Sequence, residues 1–572
     1  MDVLVRHASA AAITTAALVL AACTGTDEGP SAERGTPGGT LYYLSYRPLE
    51  NLDPQRVYTG RDIANLSRLV YRGLVTLPVT DDPDEALRIV PDVATDGGRP
   101  SHGSRVWRFT IRDGVTWQDG KPVTCEDFRY GISRTFATGV ILGGPGYALS
   151  YLDIPQKPSG LPAYNGPYKG DGQAYFDRAV TCDGSTLTLR FRRPWPDFPY
   201  AAAALRAFDP YRRDHDRGGK SKFDVFSDGP YRLDGSWDEA RGGTFVRNPE
   251  YDPDSDETGT RSALPDRIVF VQGFEPDVVY DRLVANAGKD RYAVTDLSAP
   301  PFVYSQITGA VAERSTLVDS PFVDYLVPNF RHLTDVRVRR ALLLATDVAA
   351  YAAAQGGDKA GTPARSLVHP SLIGYRDNPA FTGPPEGDPE AARALLEQSG
   401  VDLPYPITLT YQGRNTRADK AAAALAEGWK EAGFGVSLEP LTDTYWAAIS
   451  FPTADFDVAW AVWAADWPSM ETVLPPLFDS RFNLSEESNG QDYGNYDSDV
   501  VNGMIDRAAS MTDIDDQISA YAEIDAQLGR DVAYIPLEVG RSFYLRGSGV
   551  TGFLAGPATS GYPDLGSIGV EN

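Results

Sequence analysis

Strand-like and helix-like segments alternate along most of this chain without a fixed repeat, and that alternation commits it to α/β architecture. Residues 417–441, RADKAAAALAEGWKEAGFGVSLEPL, show the unit: an amphipathic helix, a glycine stop and a strand. The stretch DPEAARALLEQSG (388–400) has an acidic start, an Ala/Leu face and a terminal glycine, the marks of a capped helix. Two more helices are expected at 500–511 and 514–531, ahead of the apolar strand VAYIPLEV. Near the N-terminus TLYYLSY (40–46) reads as a strand, and 62–77 carries apolar residues at helical spacing before Gly73. Between 104 and 199 the pattern turns β-rich, with SRVWRFTI, a hairpin-like VTWQDGKPVT and STLTLRF. The stretches 229–251 and 266–273 read as a hairpin and a strand. A chain of 572 residues is past the size of one core, so two or three structural units are expected.

The first residues point outside the cytoplasm. Arg6 precedes a small and apolar run, Ala8 to Ala22, too short to span a bilayer and fitting the core of a secretory signal. The run ends Leu20-Ala21-Ala22-Cys23, which resembles a bacterial lipobox whose cysteine is lipidated; an ordinary small-residue cleavage site is the alternative. Residues 24–39, TGTDEGPSAERGTPGG, lack apolar periodicity and read as a tether. Acids outnumber bases 78 to 53, a net charge of −25, which disfavours nucleic acid as a partner. Cys125 and Cys182 remain: in an exported chain a pair is most simply a disulfide, with two unconnected buried thiols as the alternative and a metal site behind both.

Catalytic signatures are sparse. The five histidines stand far apart with no H-E-x-x-H, and G-x-S-x-G does not occur. GSGVTG (547–552) has no helix-forming sequence after it and reads as a turn; GGKS (218–221) lacks the upstream glycine of a phosphate loop. DPDSDETGTRSA (252–263) begins like a calcium loop but lacks its glycine and closing glutamate, and reads as a solvated acidic loop. No cofactor, metal or enzymatic activity is expected. One acid stands out: Asp466, in AVWAADWPSM (461–470), sits between Trp463 and Trp467, with no basic residue from Ala454 to Asp479. Burying an unpaired carboxylate costs several kcal/mol, so it reaches water or takes its cation from outside the chain. A loop or helix-capping aspartate between two core tryptophans is the plainer reading.

Ten short stretches in a fixed order carry a family resemblance. They are LDPQRVYTG (52–60), LVYRGLV (69–75), VPDVAT (90–95), WRFTIRDGVTWQDGKPVTCEDFRYG (107–131), SDGPYRL (227–233), VRNPEYD (246–252), LTDVRVRRALLLATD (333–347), EAARALLEQSG, NYDSDVVNGMIDRA (495–508) and YIPLEV (534–539). The chain resembles the extracytoplasmic solute-binding proteins of ABC transporters, family 5, the peptide- and oligopeptide-binding type. Taken alone, most of these stretches are structural: RDGVTWQDG is a hairpin, and Arg337, Arg339 and Arg340 start a helix in surface ion pairs.

The resemblance implies a two-lobed, periplasmic-binding-protein-like α/β fold of the large type, with an extra β-rich domain inserted in the N-terminal lobe. The expected division is a signal peptide at 1–22, the lipidated Cys23 and tether at 23–39, and lobe I at 40–77, 200–297 and 537–572. The inserted domain would take 78–199 and the ligand-binding lobe II 298–536. It further implies a monomeric lipoprotein on the outer face of the membrane, held by its N-terminal lipid, passing peptides to permease subunits and, through them, to ATPase subunits. Asp466 would take the ligand's ammonium group, Val462 to Ala464 would pair with the peptide as an added strand, Trp463 would wall a side-chain pocket, and Trp467 stands where an aromatic is expected. Pro468 and Ser469 depart from the acidic or asparagine-containing continuation, which leaves side-chain preference open. Arg414, Arg417 and Arg365 match no motif for the ligand's carboxylate and read as surface residues. Relatives of this fold carry oligosaccharides, metal chelates or opines, so a non-peptide ligand is the nearest alternative; a surface hydrolase and a structural envelope lipoprotein are further ones.

Overall fold

A computed structural model describes residues 35–256 and 260–571. The expected signal peptide, Cys23 and the tether up to residue 34 lie outside the described residues. Three larger sheets carry the fold among the residues described. In the first, Thr40–Ser45 runs parallel to Arg267–Gln272 and Ala293–Thr295, while Thr244–Arg247 and Tyr231–Leu233 extend it antiparallel. Alternation decides which way its residues face: Leu41 and Tyr43 join Ile268 and Phe270 in one core, and Leu44 joins Tyr280 and Ala293 in another. The second sheet is antiparallel and local, in the order Arg99–Ser101, Val106–Thr110, Thr186–Arg190, Val180–Asp183. Cys125, at the start of the helix Cys125–Thr135, and Cys182 on the last of these strands form a disulfide. Closing a loop with a sequence separation of 57 residues is worth about 4 kcal/mol in the chain-entropy account.

The third sheet is mixed, in the order Gly361–Pro363, Ile535–Leu545, Ser315–Pro328, Val458–Ala464, Tyr405–Gln412, Phe434–Leu441. Its helices form where local chemistry demands them. Asn415 caps the helix Thr416–Glu431 by accepting from the backbone N–H groups of Arg417 and Ala418, Ala421, Leu425 and Trp429 bury one face, and Gly433 turns the chain at φ +103° into the parallel strand Phe434–Leu441. Asp388 caps Pro389–Ser399, and Gly400 ends it in the left-handed conformation at φ +79°.

Two long strands tie the first and third sheets. In Ser315–Pro328 the first residues pair with Asp319↔Arg541 to Ser315↔Leu545 and the later ones with Val323↔Val539 to Leu326↔Ile535, with register shifts between. Phe543 and Leu545 pack with Leu44 and Tyr280, whereas Ile535 and Leu537 pack with Leu342 and Trp429. One pair of strands therefore belongs to both halves of the molecule, and Ile535–Leu545 runs through the expected boundary at 536/537.

Several of the short ordered stretches meet through buried charge. Asp53 of LDPQR accepts from Arg134 at 2.6 Å with both side chains fully buried, and Arg134 also reaches Asp216 at 3.2 Å. Asp92 of VPDVAT sits between Arg72 of LVYRGLV and Arg261, each at 2.7 Å. Burial alone would raise the Asp92 pKa, but the two guanidinium groups outweigh it and hold the carboxyl well below its ordinary range.

Two expectations need correction. Arg339 is buried rather than surface-paired, donating to the carbonyl oxygens of Leu333, Thr334 and Asp531; Arg337 does pair at the surface, with Asp335, and Arg340 donates to the Arg530 carbonyl. A helical pattern reports which face a residue occupies, not whether carbonyl groups wait there to satisfy a guanidinium. Asp256, in the stretch read as a solvated acidic loop, is buried against Arg261 at 2.9 Å. The hairpin expected at VTWQDGKPVT is present as a short one: around the bridge Thr116↔Pro122 the Trp117 N–H donates to the Lys121 carbonyl at 2.8 Å and the Val123 N–H to the Val115 carbonyl at 2.9 Å.

Candidate functional site

The strand Val458–Ala464 is held on one side along its whole length by Ser315–Pro328. On the other side Tyr405–Gln412 reaches only Val458 and Ala459, so from Trp460 to Ala464 the second edge has no strand partner among the described residues. Ala459 and Ala461 are buried, Val462 is 38% exposed, and Trp463 and Ala464 are half-buried. Beyond Ala464 the chain folds back on itself: the Trp463 indole donates to the Thr472 carbonyl at 3.0 Å, and the Asp466 N–H donates to the Thr472 hydroxyl at 3.1 Å.

That turn sets the Asp466 carboxylate where three distant segments meet. One oxygen accepts from the Tyr58 hydroxyl at 3.0 Å and from the Tyr147 hydroxyl. Burial pushes the Asp466 pKa up against these two hydrogen bonds, and among the described residues no cation acts on it. A cavity of about 420 Å³ opens beside it. Its walls include Ile63, Leu77, Ala203, Val318, His369, Leu372, Ala465 to Pro468 and Pro557. Neither Lys nor Arg is among the described residues lining it, and Val462 to Ala464 lie outside that wall. Arg365, Arg414 and Arg417 do not reach it either; Arg365 donates to the Phe381 and Gly383 carbonyls.

Trp467 has a different role from its neighbour. Only 2% exposed, it inserts into the core around the second sheet, where Tyr147 packs edge-on at 4.7 Å and Trp195 lies at 5.7 Å. Its indole N–H donates to Asp197 at 2.7 Å. Four residues on, Glu471 accepts from Tyr151 at 2.8 Å and from Arg193 at 2.7 Å. Burial and then the adjacent Asp197 push the Glu471 pKa up to about 8, against Arg193 and Tyr151. Among the described residues its other oxygen and the second oxygen of Asp197 have no hydrogen-bond partner, as fits a proton held on Glu471.

The folded state thus binds a proton at Glu471 more tightly than an unfolded chain, whose value is 4.5. This contribution is fully present below pH 4.5 and is lost as pH rises toward about 8, by up to about 1.4 kcal/mol per pH unit. Asp209, raised to about 7, shares that sign, so the informative quantity is a difference. Glu471→Gln is expected to flatten the slope of urea stability between pH 5.5 and 8 relative to the unaltered protein; equal slopes would remove the account of a tightly held Glu471 proton.

Sequence reasoning had Asp466 but not Tyr58, Tyr147, Asp197, Arg193 or Glu471. Tyr58 stood inside the quoted stretch LDPQRVYTG without a reason to prefer it, and the others carried no signal. Among the described residues no group of three His, Cys, Asp or Glu side chains is placed to hold a metal ion, and no helix is long and apolar enough to cross a membrane.

Comparison with known proteins bears on the whole chain. The periplasmic oligopeptide-binding protein OppA of Salmonella typhimurium is 25% identical over 552 residues, covering 92% of each chain. The solved structure titled clavulanic acid biosynthesis oligopeptide binding protein 2 superimposes with a TM-score of 0.80 at 26% identity, covering 95% of this chain and 99% of that one. The murein tripeptide binding protein MppA, in a structure titled its unliganded open form, shares the fold with a TM-score of 0.72 at 21% identity, covering 95% and 99%. The fold is the two-lobed, periplasmic-binding-protein-like α/β fold shared by these neighbours. Residues 88–484 match the model of bacterial extracellular solute-binding proteins, family 5, and the chain is a member of that family.

Proposed function

We propose that this protein is a lipid-anchored extracytoplasmic receptor that holds a peptide between two lobes and hands it to an ABC importer. The observation that carries the reading is the Asp466 carboxylate, set beside a cavity by two phenols and lacking a cation among the described residues. In this reading the ligand's α-ammonium group supplies that cation. The bare edge from Val462 to Ala464 takes the peptide backbone as an added strand, and Trp463 walls a side-chain pocket. Trp467 supports the site from behind. The relatives' printed names, oligopeptide- and murein-tripeptide-binding, support a peptide over other solutes. An open form of a relative supports opening about the two shared strands, Ser315–Pro328 and Ile535–Leu545. We place lobe I at 40–77, 200–297 and 537–572, the insertion at 78–199, lobe II at 298–536 and the lipid on Cys23; the protein binds and releases without a catalytic step.

Thermal unfolding against di- to hexapeptides, N-acetylated copies, sugars and metal chelates tests this. A ligand at one hundred times its Kd adds about 2.7 kcal/mol of stability. Free-amine peptides are expected to raise the midpoint, and acetylation or Asp466→Asn to weaken binding by about ten- to hundredfold, the worth of a charge-assisted hydrogen bond. A shift from sugars or chelates and none from peptides would overturn the peptide assignment and the role given to Asp466.

A further inference from the structure

Beside the bare edge lies a second acidic feature. Cross-strand register sets Asp324 opposite Val462 on one side and opposite Glu538 on the other, so the three side chains share one face of three adjacent strands. Phe322, two residues before Asp324, is 41% exposed, which leaves that end of the face open. Glu538 is only 3% exposed, one of its oxygens has no hydrogen-bond partner, and it lies over Gly361, where any Cβ would overlap it. Asp324 accepts from the Trp460 indole at 3.0 Å, and Tyr351 packs edge-on against that indole at 5.2 Å.

Burial raises the Asp324 pKa to about 6 and, together with Asp324, the Glu538 pKa to about 8. The exposed Arg417 acts on both from a distance, but among the described residues it forms no ion pair with either. Two adjacent carboxyls, one half-buried and one buried, with no ion-pair partner among the described residues, are costly to keep charged. They lie on one of the two faces to which an added strand would project alternate side chains, two and three strands in from it. Asp324 is two strand spacings, about 10 Å, from the backbone of such a strand, a span that calls for a long side chain, and the unpaired carboxyls favour a cationic one. On the way it would cross the Trp460 ring, a favourable surface for a cation.

We infer that Asp324, backed by Glu538 and flanked by Trp460, forms a subsite for a Lys or Arg side chain of the bound peptide, and that this subsite selects peptides with a basic residue at one fixed position. The inference rests on the peptide reading above. The test uses the full protein and a free-amine tetra-alanine peptide into which Lys or its uncharged isostere norleucine is placed at each position in turn. Calorimetry is expected to show Lys preferred over norleucine at a single position by about ten- to hundredfold. In Asp324→Asn that ratio should collapse toward one, whatever the substitution does to the two affinities, and in Glu538→Gln it should shrink. Equal binding of Lys and norleucine peptides at every position, or a preference that survives Asp324→Asn, overturns the subsite while the peptide reading stands. Failure of every peptide to bind protein shown to be folded by circular dichroism removes both.

Discussion

Replacing Trp467 with alanine is expected to lower stability by about 3–5 kcal/mol, the range for a fully buried tryptophan. The ring is carried by the turn after Val458–Ala464 yet buried in the core around the second sheet, so its loss opens a void between two parts of the molecule. It also leaves Asp197 without its indole donor. The loss should therefore fall on contact between the parts as well as on unfolding. Guanidinium titration should show a lower midpoint, and small-angle scattering a larger radius of gyration for the folded protein. Trp467→Phe keeps most of the buried ring and removes only the N–H, so it should cost less, about 1–3 kcal/mol. An unchanged radius in the alanine variant would mean that the turn is held by its other contacts, and would count against Trp467 as the anchor.

Arg134→Met is expected to be as damaging, about 3–5 kcal/mol, because it strips a buried charge network of its centre. The guanidinium is fully buried, pairs with Asp53 and Asp216, donates to Ser221 at 3.0 Å and stacks on Tyr211 at 3.6 Å. Without it the buried Asp53 retains only Arg56 at 3.3 Å as a charge partner. The double variant Arg134→Met with Asp53→Leu should recover part of the loss, since an apolar pair carries no unmatched charge. Urea unfolding of both single variants and the double variant measures the coupling; a single-variant loss below about 1 kcal/mol would show that the network contributes little.

What the sequence revealed followed the range of the forces involved. The unit at 417–441 was legible because its cap, apolar face and glycine stop are all local, and the structure has each in place. Asp466 was legible because an acid among tryptophans with no base nearby is a local anomaly. Its partners were not, since Tyr58 and Tyr147 stand 408 and 319 positions away and a phenol has no local mark of what it will bind. Arg339 and Asp256 misled for the reverse reason: a charged residue reads as solvated until distant carbonyls or a guanidinium close over it. The Asp324–Glu538 pair shares that obscurity, being adjacent across strands and separate in the chain.

The core behind Thr40–Ser45 contains Val550, Leu565, Ile568 and Val570, and Arg68 pairs with Asp564 across 496 positions. A chain emerging from its N-terminus makes Leu41 and Tyr43 early but cannot bury them until its final residues arrive. The core begun first is thus completed late, and its apolar strands wait uncovered during synthesis. A shortened C-terminus would do its harm at the opposite end of the sequence, in the part made first.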